Sequence, residues 1–262
     1  MQVYLINLDR ATERLAHMQQ AFDAAGISFT RISAVDGHAL SDSDIKRFQS
    51  REGYWGWLTP GEIGCFLSHR LCWQAIADGD DRYGIIFEDD MLLGADASSL
   101  LSNNLWIPDD ADVIKMEAAC IPTYIDCKGI NLSKGRELNR LRFSHYCSGA
   151  YIISTSTAKI LLKKSKSFSE PIDEFIFNVA SPIFSKLKIY QMVPALCIQQ
   201  RYHLSAFQEA MLDTSIPGRT KARNMKFKLR YRWGKIVREL HSGLNKLLCR
   251  LGKRERIVVD FK

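Results

Sequence analysis

The chain has 262 residues with 46% apolar and 25% charged content, the composition of a folded protein with a sizeable core, which excludes a disordered or membrane-embedded chain. That length allows one large α/β domain or two small ones. The net charge of +7 is unevenly placed: residues 218–262 hold 15 Lys/Arg against 3 Asp/Glu, and the first 217 hold 21 against 26. A mildly acidic domain with a basic tail is expected, and such asymmetry points to an anionic partner for the tail.

Val3 to Asn7 is a short apolar run and a first buried strand. Thr12 to Ala25 has helical spacing, with Leu15, Met18, Ala21, Phe22 and Ala25 on one face and Gly26 as the stop. Phe29 to Ala34 is a second strand, and Val35-Asp36-Gly37 a turn after it. Strand, helix and strand in this order predict a βαβ unit and a parallel sheet. Thr59-Pro60-Gly61-Glu62 reads as a capping box opening a helix to about Asp78. Gly84 to Phe87 is the next strand and runs into three adjacent carboxylates, Glu88, Asp89 and Asp90. Further strands are expected at 112–116, 151–153 and 188–193, and helices at about 156–164 and 173–180. No internal repeat or low-complexity segment is found.

From Gly218 the pattern changes. Basic residues interleave with Phe227, Tyr231, Trp233 and a series of Leu, Ile and Val, and from Gly234 the apolar positions form one helical stripe with cations opposite. The tail has three readings: an amphipathic helix on an anionic membrane, a nucleic-acid binder acting by counterion release, or a helical hairpin packed on the domain.

Seven cysteines, an odd number without a C-x-x-C pair, argue for reduced, cytosolic usage rather than a disulfide frame or zinc site. The opening stretch is too short for a signal peptide, and no apolar run reaches the roughly 18 residues of a membrane span. A cytoplasmic protein is expected.

In open α/β sheets the ligand site lies at the carboxyl ends of the strands. The acidic triplet falls there, as do Asn7, Asp9 and Arg10 after the first strand, Asp36 after the second, and Lys115 and Glu117 at the end of a later one. Divalent Mg²⁺ or Mn²⁺ relieves repulsion between adjacent carboxylates and prefers their oxygens. Read alone, the triplet is a weak signal, since acidic runs at strand ends are mostly solvated turns.

The blocks INLDRATERL, AVDG, TPGEIGCFLSH, YGIIFEDD, DVIKME and SGAYIIS, in this order, resemble glycosyltransferase family 25, whose bacterial members build lipo-oligosaccharide and are mostly β-galactosyltransferases. The resemblance covers about residues 1–205; the tail has no matching block. It implies a GT-A (Rossmann-like) α/β fold with a mostly parallel central sheet over residues 1–217, followed by a basic helical extension over 218–262. It also implies a nucleotide-sugar donor, usually UDP-galactose, Mn²⁺ (or Mg²⁺), and inversion at the anomeric carbon. Glu88-Asp89-Asp90 then takes the place of the D-x-D motif, with Asp90 on the metal and Glu88 on metal or ribose. A late His, here His203, is the expected further metal ligand.

Inversion needs one general base for the acceptor hydroxyl. Asp173 and Glu174 are the candidates, Asp173 first; charge compensation at a helix N-terminus is the alternative for both. Arg10 and Arg14 are assigned to uridine or pyrophosphate, against surface salt bridges. Asp36 is assigned to uracil or ribose, against an ordinary tight turn. Ser68 and His69 are drawn toward the donor by the family block that ends in them. Asn7, Asp89 and Lys115 complete the donor set. Tyr54, Trp55 and Trp57 either stack on an acceptor sugar or cover a core. The expected partners are a UDP-sugar, a saccharide acceptor on a lipid and, through the tail, the inner membrane face. Glucose or an N-acetylhexosamine are the alternative sugars, and a glycosidase or a nucleic-acid-binding protein the competing classes.

Overall fold

Alternating side chains of the central strands supply two apolar layers, one on each face of a sheet. In β1 (Gln2–Asn7), Val3 and Leu5 join one buried cluster and Tyr4 and Ile6 the other. The same period of two divides Ile85 and Phe87 from Ile86 in β3 (Tyr83–Glu88), and Ala150 and Ile152 from Tyr151 and Ile153 in β10 (Ala150–Ser154). The structure is a computed structural model and describes residues 1–54, 56–203 and 228–262.

The opening unit is β1, α1 (Thr12–Ala25) and β2 (Thr30–Ser33). Met18 and Phe22 of α1 are buried, and Gly26 ends the helix with φ +65, as the sequence predicts. Then come α2 (Asp42–Phe48) and α3 (Pro60–Asp78). The capping box of α3 is present: Thr59 accepts from the Glu62 N–H and Glu62 from the Thr59 N–H. A Cβ on Gly64 of α3 would lie 2.5 Å from the Val35 carbonyl, so a residue without one lets α3 press on the turn after β2.

After β3 follow β4 (Met91–Leu93), α4 (Ala97–Leu101), β5 (Val113–Lys115), β6 (Glu117–Ala118), β7 (Pro122–Asp126), β8 (Ile130–Asn131) and β9 (Glu137–Arg140). The rest of the fold is β10, α5 (Thr155–Lys164), α6 (Ile172–Phe177), β11 (Ile189–Val193), β12 (Cys197–Gln199), α7 (Gln200–His203), α8 (Lys228–Arg250) and β13 (Arg254–Val258). Helices α3, α5 and α6 cover one face of the sheet, and α1 and α4 the other. Among the described residues no helix is long and apolar enough to cross a membrane.

The main sheet has eight strands in the order β2-β1-β3-β10-β5-β11-β9-β8. Its β1/β2, β1/β3 and β5/β11 pairings are parallel, and the other four are antiparallel. Six strands point one way, and only β10 and β9 run against them. The α/β architecture is thus as expected, with a mixed sheet. Because β10 is reversed between β3 and β5, the loop before it reaches the edge where β1 and β3 end. Strands β4, β6, β7, β8, β9, β12 and β13 were not legible: each has two to five residues, too few for a periodicity to show.

The extension departs from an all-helical tail. The expected boundary at 217/218 lies outside the described residues, but after α8 the chain returns to the domain. Strand β13 pairs antiparallel with β7, supplying partners to an edge that would otherwise be open. Val259 is buried, and Ala195 exchanges hydrogen bonds with Asp260 and Lys262. The buried Arg136 guanidinium grips Asp96 and the carbonyls of Pro194, Ala195 and Lys262.

Candidate active site

Parallel pairing of β1 with β3 sets Ile6 opposite Glu88, so the chain leaves both strands side by side. Asn7, at the end of β1, is buried. It donates to Asp89 Oδ2 (2.7 Å) and to the Ala11 carbonyl (3.0 Å), and accepts from Arg31 Nε (3.0 Å). Arg14, on the first turn of α1, reaches Asp89 Oδ1 at 3.1 Å. Asp89 is therefore held from two sides by the opening βα unit.

Glu88 is held from the other side. His69 Nε2 lies 3.1 Å from Glu88 Oε1, and Ser148 Oγ donates to the same oxygen (3.2 Å). Behind His69, Tyr151 Oη is 2.9 Å from Nδ1 and takes a 2.9 Å hydrogen bond from Trp73 Nε1. The donors fix the direction of this chain: indole to phenol, phenol to imidazole, imidazole to carboxylate. Burial alone would raise the Glu88 pKa, but the bonds from His69 and Ser148 outweigh it and hold it below its ordinary value.

Asp90 is treated differently. Its backbone carbonyl caps α7 by accepting from the Gln200 N–H (2.8 Å). Its Oδ1 is buried and has no hydrogen-bond partner among the described residues. Burial, followed by the neighbouring Glu88 charge, pushes its pKa up to about 7. Buried and unmatched in the same way are Gln199 Oε1 and Glu117 Oε1. Buried polar atoms are nearly always paired, so oxygens without donors ask for a ligand.

A cavity of about 450 Å³ opens here, lined among others by Glu88, Tyr146, Cys147, Ser148, Asp173, Glu174, Gln199 and Arg201. A second hollow of about 110 Å³ continues past Glu88 and is lined by Asn7, Arg10, Arg14, Asp36, His38, Ser68 and Asp89. The sequence-predicted residues thus divide into two neighbouring groups that share Glu88. In the smaller hollow, Arg10 pairs with Asp36, whose pKa is held below the ordinary carboxylate range by that bond and by the His38 N–H. Ser68 works between elements: its hydroxyl donates to the Gly64 carbonyl (2.7 Å) and accepts from the Val35 N–H (2.8 Å).

At the other wall, Asp173 and Glu174 stand on the first turn of α6. Asp173 Oδ2 accepts from the Cys147 N–H (3.2 Å) and Oδ1 from the Glu174 N–H (2.8 Å). Burial raises its pKa against those two donors. Glu174 is buried and takes up the Asn178 amide.

Four expected site residues, His69, Asp90, Lys115 and His203, line neither hollow. Lys115 is fully buried beneath the cavity, not on its wall. Its ammonium is 3.3 Å from Glu117 and 4.6 Å from the Phe177 ring centre, and donates to the Cys147 carbonyl. His203 is exposed on α7, its ring centre 5.7 Å from that of Phe261 and nearly perpendicular to it. Of the loop aromatics, Tyr54 lies under the Arg238 guanidinium of α8 and Trp57 is exposed, while Trp55 is outside the described residues. The residues missed from sequence are Tyr146, Cys147, Ser148, Gln199 and Arg201. Ser148 belongs to the SGAYIIS block and Arg201 to QQRYH, but nothing local told which of their residues turn inward.

The donor set suits a hard divalent cation, because the unmatched atoms are carboxylate and amide oxygens. The alternative convergence of Cys65, His69 and Glu88, within 4.8 Å of one another, is less apt. Burial pushes the Cys65 thiol well above its ordinary value, and both nitrogens of His69 are engaged.

The profile described as Glycosyltransferase family 25 (LPS biosynthesis protein) matches residues 1–176. The chain is 28% identical over 258 residues to the lipooligosaccharide biosynthesis protein lex-1 of Haemophilus influenzae, covering 86% of this chain and 83% of the relative. It is 30% identical over 206 residues to the lipooligosaccharide biosynthesis protein lic2B of Haemophilus influenzae, covering 75% of each. Among solved structures, a glycosyltransferase involved in glycosylation of the major capsid of PBCV-1 superposes with a TM-score of 0.44 at 8% identity, covering 80% of this chain and 96% of that one.

Proposed function

The chain belongs to glycosyltransferase family 25, and from that membership we propose an inverting, metal-dependent transferase moving a hexose from a UDP-sugar to a saccharide acceptor of the lipo-oligosaccharide kind. Galactose in β linkage is the hexose we propose. What carries the reading is the unpartnered, buried Asp90 carboxylate oxygen in the acidic turn whose Glu88 shares a cavity with Asp173. Asp90 would hold Mn²⁺ (or Mg²⁺), with Glu88 beside it and Gln199 Oε1 within the same cavity wall. When bound, the cation supplies Lewis-acid neutralisation of the charge on the departing diphosphate.

The chain's own residues do the rest. The smaller hollow receives the nucleotide: Arg10 and Arg14 offer positive charge, and Asp36 a carboxylate for uracil or ribose. His69 and Ser148 fix Glu88 so that it does not swing into the donor's place. The larger cavity receives the acceptor. Asp173 is the proposed base that takes the acceptor hydroxyl's proton as the new glycosidic bond forms. Its raised pKa keeps it a better proton acceptor than an exposed aspartate. Glu174, bonded to Asn178, is the second candidate, because the family pattern favours the Asp position. The acceptor is proposed to be lipid-borne and the site of action the cytoplasmic face of the membrane.

The test is a panel of UDP-sugars with Mn²⁺, read as donor hydrolysis and as transfer. UDP-galactose turnover abolished by EDTA and restored by Mn²⁺ is expected. Asp173→Asn should lower transfer by roughly 10²–10⁴-fold while UDP binding stays near its original strength. Full turnover in EDTA contradicts metal dependence. A crippled Glu174→Gln beside an active Asp173→Asn would move the base to the neighbour.

A further inference from the structure

An amphipathic helix on a domain ordinarily turns its apolar stripe inward and its polar face to water. Helix α8 does the reverse. Its docking face is polar: Arg238 donates to Tyr54 Oη (2.6 Å), and the buried Asn245 reaches the Arg142 carbonyl (3.4 Å) and accepts from Arg254. The opposite face carries Trp233 and Leu240, each 67% exposed, with Ile236, Leu244, Leu247 and Leu251 between 45% and 60% exposed. These six residues follow one another at steps of three or four, so they form one unbroken stripe along the helix. A contiguous exposed apolar face of this kind marks an interaction surface.

Its flanks say what the partner is. Over Lys228–Arg250 the helix holds seven Lys/Arg and one acid, Glu239, and Arg232, Lys235, Lys246 and Arg250 are exposed beside the stripe. A second copy of α8 laid against this stripe would bring like charges together. A nucleic acid would meet the cations and leave the leucines in water. A bilayer with anionic headgroups meets both at once, the cations at headgroup level and Trp233 and the leucines in the acyl boundary.

The helix is linked to the cavity wall through Tyr54. Tyr54, on which Arg238 rests 4.5 Å above the ring, donates its backbone N–H to the carboxylate of Glu170 (2.9 Å), next in sequence to the cavity-lining Pro171. We propose that α8 lies flat in an anionic phospholipid surface by this outward stripe and holds the cavity mouth at the level where a lipid-borne acceptor presents its sugar. The acceptor clause rests on the transferase reading above; the lipid surface itself does not.

The experiment uses the full chain with vesicles of phosphatidylcholine, with and without phosphatidylglycerol. Sedimentation with the phosphatidylglycerol vesicles is expected, weakened but not abolished by high salt. Leu240→Gln/Leu247→Gln, both at exposed positions, should weaken it by roughly tenfold or more with the fold unchanged. UDP-galactose hydrolysis in solution, measured on both proteins, should be equal. Failure of the unaltered chain to sediment overturns the proposal, as does equal sedimentation of the double variant. So does a concentration-dependent dimer that the two substitutions abolish. Absence of hydrolysis from both proteins, with lipid binding intact, strikes the transferase reading and leaves the lipid surface standing.

Discussion

Asp90 and Glu88 are two carboxylates in one acidic turn with opposite proton affinities, and neighbours decide which is which. Glu88 has His69 and Ser148 as donors; Asp90 has none among the described residues. The Asp90 pKa therefore rises from 3.8 to about 7. A raised carboxyl binds its proton better in the folded state, so stability is intact below the unfolded value near 4 and falls as pH rises through about 7. Metal-free Asp90→Asn should thus be more stable than the parent at pH 8, by an order of 1–3 kcal/mol, while Mn²⁺ no longer raises its melting temperature. Divalent affinity of the parent should weaken as pH drops below about 7, because cation and proton compete for one oxygen. Melting curves with and without Mn²⁺ at several pH values check both signs. A destabilised Asp90→Asn that still gains stability from Mn²⁺ would remove Asp90 from the metal site.

Between residue and fold stands the short segment before β10. Cys147 adopts φ 68, a left-handed conformation that costs a non-glycine residue about 1 kcal/mol. Among the bonds that hold this segment are Lys115 Nζ to the Cys147 carbonyl, Cys147 N–H to Asp173, Ser148 Oγ to Glu88, Gly149 N–H to Glu117 and Glu88 N–H to the Gly149 carbonyl. The buried Lys115–Glu117 pair therefore fastens from beneath a strap that joins the acidic turn to the proposed base. Lys115→Met leaves Glu117 unpaired in the interior and should cost about 3–5 kcal/mol. Lys115→Met/Glu117→Gln removes the charge as well and should recover most of that stability. Because the strap still lacks its anchor, kcat should stay down by on the order of 10- to 100-fold with donor KM nearly unchanged. Urea unfolding and steady-state kinetics on both variants separate the outcomes: a double variant with parental kcat would reduce the pair to a structural role.

At the scale of the whole molecule the basic extension is not a detachable appendage. It supplies α8 and closes the chain on β7 through β13, with Arg136 gripping the carbonyl of Lys262 and the Asp96 carboxylate. Arg136→Met should cost about 3–5 kcal/mol, since it leaves Asp96 half-buried without its cation. Removal of residues 254–262 should lower the melting temperature and broaden the transition, because β7 and the Val259 cluster lose their cover. Thermal and urea unfolding test both. A shortened chain as stable as the parent would restore the view of a catalytic unit that ends before the extension.

What the sequence determined by itself is what nearest neighbours along the chain determine. The apolar run Val3–Asn7, the stripe through Met18 and Phe22, the Gly26 stop and the Thr59–Glu62 box are local physics, and each appears where it was read. The acidic triplet was legible for the same reason: three charges directly after a buried run have to stand at its end. Which of those charges is neutralised was not legible, because the answer comes from Asn7, Arg14, His69 and Ser148, brought in from distant segments. Lys115 looked like a site residue, and only the sheet, pairing it with Tyr151 and Gln191, puts it under the floor. The stripe of α8 was plain in the sequence, but periodicity tells that a helix has two faces and not which one the domain takes. That choice was made by tertiary contacts, Tyr54 with Arg238 and Arg142 with Asn245, which gave the polar face the better partners and left the leucines outside.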